Sequence, residues 1–391
     1  MMMNIADQVR DLVIKHRRTI HRFAELGGKE YKTRDYCIAV CDRLGLPHEM
    51  VTDCAFIARL DTGREGPHII LRADMDALPM AEHPENLKGP RVCVSDDPGT
   101  CHACGHDAHT AMLLGTAKAL KEMEKDIHCC VKFIFQASEE GVSGANLLCE
   151  DGVMDDIDFI TACHVVPHMK VGTIQLNKTC SNASSRGFRI KLTGKACHVS
   201  TPQLGVDAIA MGTRVYTAIQ LMRAREIAPA ESLIVNIGEF HAGTANNIVP
   251  GYAEMTGTTR SLNNEVDAYV YKRVQQIAES TAKEMGGSAE VETYKFSPCL
   301  INDHGVVDII VEAAERVIGK ENININKPIS MGAEDFAYYT LKKPGAQFGI
   351  GICPEDGNFA PLHNGNFILN EDGLTTAPAI WVQIVLDQMD K

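Results

Sequence analysis

The sequence lacks any long apolar run: none of its 391 residues fall in a stretch of about 18 uncharged apolar residues, the length that crosses a bilayer as a helix. The segment "MMMNIADQVRDLVIKHRRTIHRF" carries charges every few positions and lacks the apolar core of a signal peptide. A basic excess is also missing. The formal net charge is −13 with Lys and Arg scattered, whereas phosphate binding needs a clustered basic face. We therefore expect a cytoplasmic protein with neither a membrane nor a nucleic-acid partner.

Internal repeats and low-complexity stretches are absent too, which excludes repeat and fibrous architectures. The chain is 45% hydrophobic and 23% charged, the range of ordinary globular proteins. Its length exceeds what one hydrophobic core usually organises, so two domains are expected. Fourteen cysteines are spread along it without a secretion signal. This pattern favours reduced thiols, most of them small core residues and one or two with metal or catalytic roles.

Strands alternate with helices in the first half of the chain. The runs "CAFIARL", "HIILRAD", "CVKFIFQA" and "DFITACH" have strand character, while the N-terminal segment 5–26, "DAHTAMLLGTAKALKEM" and "GANLLCEDG" have helical character. This alternation predicts an α/β catalytic domain with a mainly parallel sheet flanked by helices. The pattern resumes near the C-terminus with a helix at 306–318, the strand "AQFGIGI" and a last helix.

The order of elements changes between 184 and 296. Here the sequence reads strand, helix, strand, strand, helix, strand, which is the ferredoxin-like order of a self-contained α+β unit. We therefore predict an inserted domain at 184–296, between a first part of the catalytic domain at 1–183 and a second part at 297–391.

Polar side chains follow the predicted buried strands at the points where these strands end. Asp74 and Asp76 follow "HIILR", Glu139 and Glu140 follow "KFIFQAS", and His164 follows "DFITAC". Open α/β sheets place their active sites at these carboxyl ends. The sequence therefore predicts one acidic, imidazole-bearing pocket.

Between these strands lies "CHACGHDAH", in which one glycine separates Cys104 from His106. A thiolate and an imidazole this close suit a divalent metal, although such a pair is by itself more often a loop or core feature. The Glu139–Glu140 pair taken alone is more often a solvated acidic turn, and His164 and His363 taken alone are more often core or loop histidines. Together they form a set suited to two ions that make a water molecule nucleophilic at neutral pH.

Several blocks of the sequence, in one order, resemble the metal-dependent N-acyl-amino-acid amidohydrolases, the family of aminoacylases, hippurate hydrolases and auxin-conjugate hydrolases. The blocks cover essentially the whole chain: "LRADMDALPM", "HACGHDAHTAMLLG", "FQASEEG", "GKACHVSTP", "GTANNIVP", "GTTRS", "MGAEDFAYY" and "LHNGNF". The resemblance implies hydrolysis of a small N-acyl amino acid at its amide bond. It also implies two divalent ions, zinc or manganese first, with cobalt or nickel as alternatives.

The resemblance also implies residue roles. Cys104, His106, Glu140, His164 and His363 match the metal ligands, and Glu139 matches the general base. Asp76 matches a catalytic aspartate beside the first metal-binding position. That first position is a ligand histidine in the wider family and Asp74 here, so Asp74 is left out of the ligand set.

Within the inserted domain the resemblance implies a lid and dimerisation role. His198 matches a residue that reaches the active site of the partner in a homodimer or larger assembly. Arg260 and Asn247 match substrate-binding positions, the arginine as a fork for a carboxylate. A surface or interface role is the alternative for each of these three residues, and for Asn247 the two are nearly level. In the second part of the catalytic domain, Gly332 of "SMGAEDF" would allow close approach of substrate to the backbone.

Departures from the family pattern lie outside the ligands and the base. Ala24 stands where "HxxPEL" has proline, Cys101 replaces methionine before "HACGHD", and "QASEEG" and "LHNGNF" stand for "QPAEEG" and "LHSPxF". Because of these changes, the resemblance does not define the acyl pocket or the choice of substrate. A metallo-dipeptidase or an N-acetyl-diaminopimelate-type deacetylase therefore stays open within the class.

Two further alternatives belong to other classes. One is a cysteine-nucleophile amidase that uses Cys104 with His106 or His109, a scheme in which the Glu pair has no clear task. The other is a non-catalytic metal-binding relative, which the intact base and ligand set disfavour.

Overall fold

Helices and strands alternate along most of the chain in the computed structural model, which describes residues 3–141 and 144–389. The helices are α1 (Met3–Phe23), α2 (Tyr31–Leu44), α3 (His106–Glu122), α4 (Gly144–Glu150), α5 (Ala208–Arg225), α6 (Asn264–Glu284), α7 (His304–Ile318), α8 (Ala337–Thr340) and α9 (Thr376–Met389). The longer strands are β2 (Phe56–Asp61), β3 (His68–Asp74), β6 (Cys130–Gln136), β7 (Phe159–Lys170), β10 (Ser185–Thr193), β12 (Leu233–Ala242), β14 (Tyr252–Ser261), β15 (Ser288–Ser297) and β18 (Gly345–Cys353).

The short strands complete the numbering along the chain. They are β1 (His48–Met50), β4 (Glu85–Asn86), β5 (Gly89–Pro90), β8 (Ile174–Gln175), β9 (Cys180–Asn182), β11 (Cys197–His198), β13 (Ile248–Val249), β16 (Leu300–Ile301) and β17 (Ile323–Asn324). No helix in the described ranges is both long enough and apolar enough to traverse a lipid bilayer.

The chain folds into two compact units. The first unit comprises the chain up to Thr179, then Ile301–Pro328, then the chain from Asp335 onward; the second comprises Cys180–Leu300 and Ile329–Glu334. The short segment joins the second unit through backbone hydrogen bonds, because the Ala183 N–H donates to the Ser330 carbonyl at 2.9 Å and the Ser330 N–H donates to the Ser181 carbonyl at 3.0 Å. Gly332 therefore belongs to the second unit.

A large mixed sheet forms the centre of the first unit, in the strand order β1-β2-β6-β3-β7-β18-β8-β17. The four central strands β6, β3, β7 and β18 are parallel neighbours, while β1-β2, β2-β6 and β18-β8 are antiparallel pairs. Strands β6 and β18 are buried over nearly their whole length. Their continuous apolar sequences follow from this, because a strand covered on both faces has no solvent side to make polar.

Helices flank this sheet, and α3 packs against α1, α9 and β3. A Cβ atom added at Gly115 of α3 would lie 2.4 Å from a methyl carbon of Val13 in α1, so the close approach of these helices depends on the missing side chain. Helix α1 ends at Phe23, three residues before the end of the helical segment 5–26 that the sequence predicted. Ala24 already has a positive φ of 34°, which breaks the helical path.

The second unit contains a four-stranded antiparallel sheet in the order β12-β14-β10-β15. Along the chain its main elements run β10, α5, β12, β14, α6, β15. Apolar residues on the helices and one sheet face form a separate core, which includes Phe188, Ile190, Val215, Met255 and Val270. This core gives the unit its own hydrophobic stabilisation.

Candidate metal centre

The candidate site lies at the carboxyl end of the central parallel strands. Asp74 ends β3 and pairs in register with Gln136 at the end of β6. The sequence predicted His164 just after a strand, but it lies within β7, which continues to Lys170; it is two positions beyond the last residue that pairs with β3 and in register with Gly349 on β18. Parallel neighbours present their carboxyl ends at the same edge of a sheet, so the side chains at and after the end of β3 and β6 come close to His164.

A glycine turn places Cys104 and His106 against this edge. Gly105 has φ +86°, and a Cβ at this position would lie 2.5 Å from a methyl carbon of Val165. Glycine is therefore required both for the conformation and for the space. His106 begins α3 directly after the turn, so its imidazole is held on a rigid element beside the Cys104 thiol.

His106 presents one ring nitrogen to the site. Its Nδ1 lies 3.1 Å from Oδ1 of Asp76, and a carboxylate can only accept, so Nδ1 carries the proton. Its Nε2 is buried, has no hydrogen-bond partner among the residues that the structure describes, and lies 3.8 Å from a carboxylate oxygen of Asp74. The Glu140 backbone N–H donates to the other Asp76 oxygen at 2.9 Å. Asp76 thus orients both His106 and Glu140, as carboxylates behind ligand histidines commonly do.

His164 is also oriented by a hydrogen bond from its Nδ1. Its Nδ1 donates to the Val165 carbonyl at 2.8 Å, which leaves the lone pair on Nε2, 3.5 Å from the Cys104 Sγ. Burial lowers the pKa of His164 to about 3, so the ring is neutral. A neutral imidazole with a free Nε2 lone pair is the form that binds metal.

His363 reaches the site from a loop after β18. Its Nε2 lies 3.0 Å from Oε1 of Glu140, and its backbone N–H donates to the Ala103 carbonyl at 2.9 Å. The residue has a positive φ of 56°, a conformation that side chains with a Cβ rarely adopt. The loop therefore holds His363 in a strained conformation, a common feature of functional positions.

The donor atoms form overlapping groups whose members all lie within 4.8 Å of one another. Within the first unit, three of these groups together contain all five predicted ligands: Cys104 with His106 and His164, Cys104 with Glu140 and His363, and His106 with Glu139 and Glu140. A fourth group, Asp74 with His106 and His109, shares only His106 with them. Thiolate, imidazole and carboxylate are the ligands of zinc and related divalent ions. The buried Nε2 of His106 and the neutral ring of His164 thus fit metal ions. The structure brings together all five predicted ligands.

Glu139 lies beside these ligands rather than among the deeply buried groups. Its Oε1 accepts the Asp335 backbone N–H at 3.3 Å. The Asp335 carboxylate in turn accepts hydrogen bonds from the Arg72 guanidinium at 2.9 Å and from the Gln136 side chain. Glu139 is therefore held next to the cluster by a backbone donor whose own position is fixed by buried polar bonds.

Asp74, which the sequence placed at a strand end and outside the ligand set, lies behind the cluster in a hydrogen-bonded network whose other members the sequence did not reveal: Arg72, Gln136 and Asp335. Asp74 is buried between the Arg72 guanidinium at 2.7 Å and the His109 Nδ1 at 2.6 Å. Its pKa is well below the usual range because the attraction of His106, Arg72 and His109 outweighs desolvation. The available signal was an arginine inside the buried strand "HIILRAD", since a fully buried cation needs an acidic partner.

The same contacts weigh against the cysteine-nucleophile alternative. The Val165 N–H donates to Nε2 of His109 at 3.0 Å and Asp74 takes the proton on Nδ1, so both ring nitrogens are engaged. Burial raises the pKa of the Cys104 thiol. A buried thiol with a raised pKa is a poor nucleophile, whereas coordination to a cation deprotonates it outright.

The remaining predicted residues belong to the second unit. His198 lies on β11, which pairs with β13 directly after Asn247, and the Val199 N–H donates to the Asn247 carbonyl at 3.0 Å. The Ser200 N–H donates to His198 Nδ1 at 3.2 Å, so the neutral ring carries its proton on Nε2. Arg260 lies on β14 with burial lowering its pKa, and Gly332 donates its N–H to Ser330 Oγ.

A parallel α/β sheet with clustered thiol, imidazole and carboxylate groups at its carboxyl edge defines a metal-dependent hydrolase. Comparison with known proteins agrees: residues 70–387 match the model of Peptidase family M20/M25/M40. The chain belongs to this family and is a hydrolase that acts on amide bonds. The family and the clustered donors support a cofactor of two divalent metal ions.

Individual relatives match nearly the whole chain. Thermostable carboxypeptidase 1 of Saccharolobus solfataricus is 32% identical over 95% of this chain and 94% of its own. N-acetylcysteine deacetylase of Bacillus subtilis is 32% identical over 96% of both chains. Among solved structures, the Bacillus subtilis YXEP protein, a dinuclear metal binding peptidase from the M20 family, superposes with a TM-score of 0.82 at 30% identity and covers 98% of this chain and 99% of its own.

Proposed function

We propose that the protein hydrolyses the amide bond of small N-acyl amino acids, releasing a carboxylic acid and a free amino acid. The observation that carries this proposal is the orientation of His106 and His164. Both rings have Nδ1 committed to an acceptor, both residues belong to the predicted cluster, and Nε2 of His164 lies 3.5 Å from the Cys104 Sγ. This is the arrangement of ligand histidines held by a supporting shell, and Glu139 lies beside it as a candidate base.

Cys104, His106, Glu140, His164 and His363 would hold the two ions in this proposal. Zinc and manganese fit these donors first, with cobalt and nickel as alternatives. When bound, the ions lower the pKa of water and polarise a carbonyl group. Glu139 takes the proton from the attacking water at its carboxylate and passes it to the departing amine. Asp76 orients His106 and does not itself react.

The second unit would supply the remaining groups. Arg260 would bind the free carboxylate of the amino acid as a two-pronged donor, and Asn247 and Gly332 would contact substrate. His198 has its Nε2–H available as a donor because Nδ1 accepts the Ser200 N–H. We propose that it donates to the carbonyl oxygen in the active site of a partner subunit. The inserted domain at 184–296 would then serve as lid and dimer interface.

The alternative to this proposal is a different substrate that contains the same kind of amide bond. A carboxypeptidase among the relatives supports dipeptides, since these also carry an amide followed by a free carboxylate. A deacetylase of N-acetylcysteine among them supports N-acetyl amino acids, and an N-acetyl-diaminopimelate-type precursor is a further alternative of this kind. Turnover of acetyl-, benzoyl- and indoleacetyl-amino acids measured beside dipeptides would rank these classes.

We also propose a cytoplasmic location. The cysteines in the described ranges are all free thiols, as a reducing compartment favours.

Glu139→Gln tests the proposed base. The amide keeps the size of the side chain but cannot accept a proton from water, so kcat should fall by at least about 100-fold. Metal content, measured by elemental analysis on the same preparation, should stay at the wild-type level because Glu139 is not among the proposed ligands. Near-normal turnover would remove Glu139 from this role.

A further inference from the structure

The turn that carries Glu139 and Glu140 has an unusual backbone conformation. It begins after β6, and Ser138, directly before Glu139, has φ +59°. Residues with a Cβ rarely adopt this left-handed conformation, and it persists only where neighbouring groups enforce it. The direction in which Glu139 and Glu140 leave the sheet depends on this one residue, so whatever fixes Ser138 also fixes the two glutamates.

A buried carboxylate supplies the enforcing contact. Oε1 of Glu30 accepts the Ser138 N–H at 2.7 Å, and the Glu30 side chain is fully buried. Its Oε2 is also buried, with no nitrogen or oxygen donor in reach within the described ranges, and the weakly donating Cys54 thiol lies against the carboxyl group. A carboxylate is costly to bury with so few partners, and its best hydrogen bond goes to the turn.

Two further contacts close the turn from other sides. The Gly144 N–H donates to the Ser138 carbonyl at 3.0 Å. A Cβ at Gly27 would lie 3.1 Å from Ser138 Oγ and 3.3 Å from Oδ2 of Asp76. The segment that leads into Glu30 therefore packs directly on the turn and on the aspartate that binds the Glu140 N–H. Of these contacts, only the Glu30 bond holds Ser138 through a side chain, so it can be removed by substitution.

We propose that Glu30 is a positioning residue of the hydrolase: its carboxylate fixes the left-handed Ser138 turn and so presents Glu139 and Glu140 to the metal cluster. This role rests on the proposed function of those two glutamates. Glu30 acts through Ser138 and touches neither substrate nor metal. What the turn needs is an acceptor at this point, so a side chain with an oxygen in the same place should serve nearly as well.

The test compares Glu30→Ala, which removes the acceptor, with Glu30→Gln, which keeps an oxygen at the same distance. Starting from the zinc-loaded full chain, Glu30→Ala should lower kcat by about 10–100-fold and speed zinc loss to a chromophoric chelator by a similar factor. KM should change little, because the lost interaction orients reacting groups rather than substrate. Glu30→Gln should stay close to the wild type in both measurements.

Glu25→Ala is the matched control. Glu30 directly precedes α2. The Glu25 carboxylate accepts the N–H groups of Lys32 and Thr33 at the start of this helix, so Glu25→Ala loosens the start of α2 without removing the bond between Glu30 and Ser138. It should lower the melting temperature but leave kcat and zinc retention unchanged. Equal losses in Glu25→Ala and Glu30→Ala would overturn the proposal, as would wild-type kcat and zinc retention in Glu30→Ala.

Two further variants keep the test decisive. If Glu30→Ala does not fold, Glu30→Asp withdraws the carboxylate by one methylene, and it should show the same losses to a smaller degree; wild-type behaviour would contradict the proposal. Zinc release is also compared between Glu139→Gln and the double variant with Glu30→Ala. Faster release from the double variant supports the role of Glu30 even if Glu139 proves not to be the base.

Discussion

At the residue scale, the site depends on which nitrogen of each histidine carries a proton. Asp76 fixes the proton of His106 on Nδ1, and the Val165 carbonyl does the same for His164. In His109 both nitrogens are engaged, by Asp74 and by the Val165 N–H. The rings of these three histidines lie close together in the fold, but they have two different roles because their hydrogen-bond partners differ. The residue types alone do not distinguish these roles.

His16 gives a prediction at this scale for the dependence of stability on pH. The ring is buried, with Nδ1 2.7 Å from the Tyr36 hydroxyl, and burial lowers its pKa from 6.5 to about 4. Below about pH 6.5 the unfolded chain binds a proton that the folded chain resists. Stability is therefore present above that pH and lost as the pH falls towards 4.

His16→Gln removes the titrating group and keeps a polar side chain. Its free energy of unfolding should fall between pH 7 and pH 4.5 by about 2–3 kcal/mol less than that of the wild type. Urea unfolding followed by the single tryptophan, Trp381 of α9, measures this in the first unit, where α1 and α9 pack together. His304→Gln, at an exposed histidine, is the control and should keep the pH dependence of the wild type. If His16→Gln has the same pH dependence of stability as the wild type, the prediction is wrong.

At the scale of elements, the sequence predicted the α/β pattern and the strand ends that carry the site. Apolar runs identify buried strands, and polar residues just after them identify the edge where the cluster forms. Contacts behind the cluster could not be read this way. Glu30 directly precedes α2, more than a hundred residues from Ser138, and Arg72 and Asp335 are separated by 263 positions. Only the folded sheet brings such residues together.

The second unit offers a stability prediction for its elements. Asp267 of α6 is buried and accepts from the Arg186 guanidinium at 2.7 Å and from Thr259 Oγ1 at 2.8 Å. These two hydrogen bonds connect α6 to β10 and β14. Asp267→Ala leaves the arginine, whose side chain is only 13% exposed, without its carboxylate, and breaking a buried pair in this way costs about 3–5 kcal/mol.

Hydrogen exchange of peptides from β14 and α6 measures this loss, while Trp381 fluorescence reports separately on the first unit. Glu284→Ala is the control, because its bond to Arg214 joins two exposed side chains and such pairs contribute about 0–1 kcal/mol. If the two variants exchange at the same rate, the buried pair is not what holds these elements together.

At the scale of the whole molecule, the question is whether one chain is a complete enzyme. The first unit contains every proposed metal ligand and the proposed base, whereas the proposed donor His198 belongs to the second unit. If His198 serves the partner's active site, each active site of a homodimer needs residues from both subunits. A dimer mixed from His198→Ala and Glu139→Gln subunits would then have one intact site and one doubly defective site.

Each variant alone should be nearly inactive, and subunits mixed by unfolding and refolding should recover about a quarter of wild-type activity, because half of randomly paired dimers are mixed and each has one intact site. If His198 instead serves its own subunit's site, every site in every dimer has a defect, and mixing recovers nothing. Light scattering on the same samples establishes that dimers form. Recovery therefore requires a donor supplied across subunits, which makes assembly a condition for catalysis.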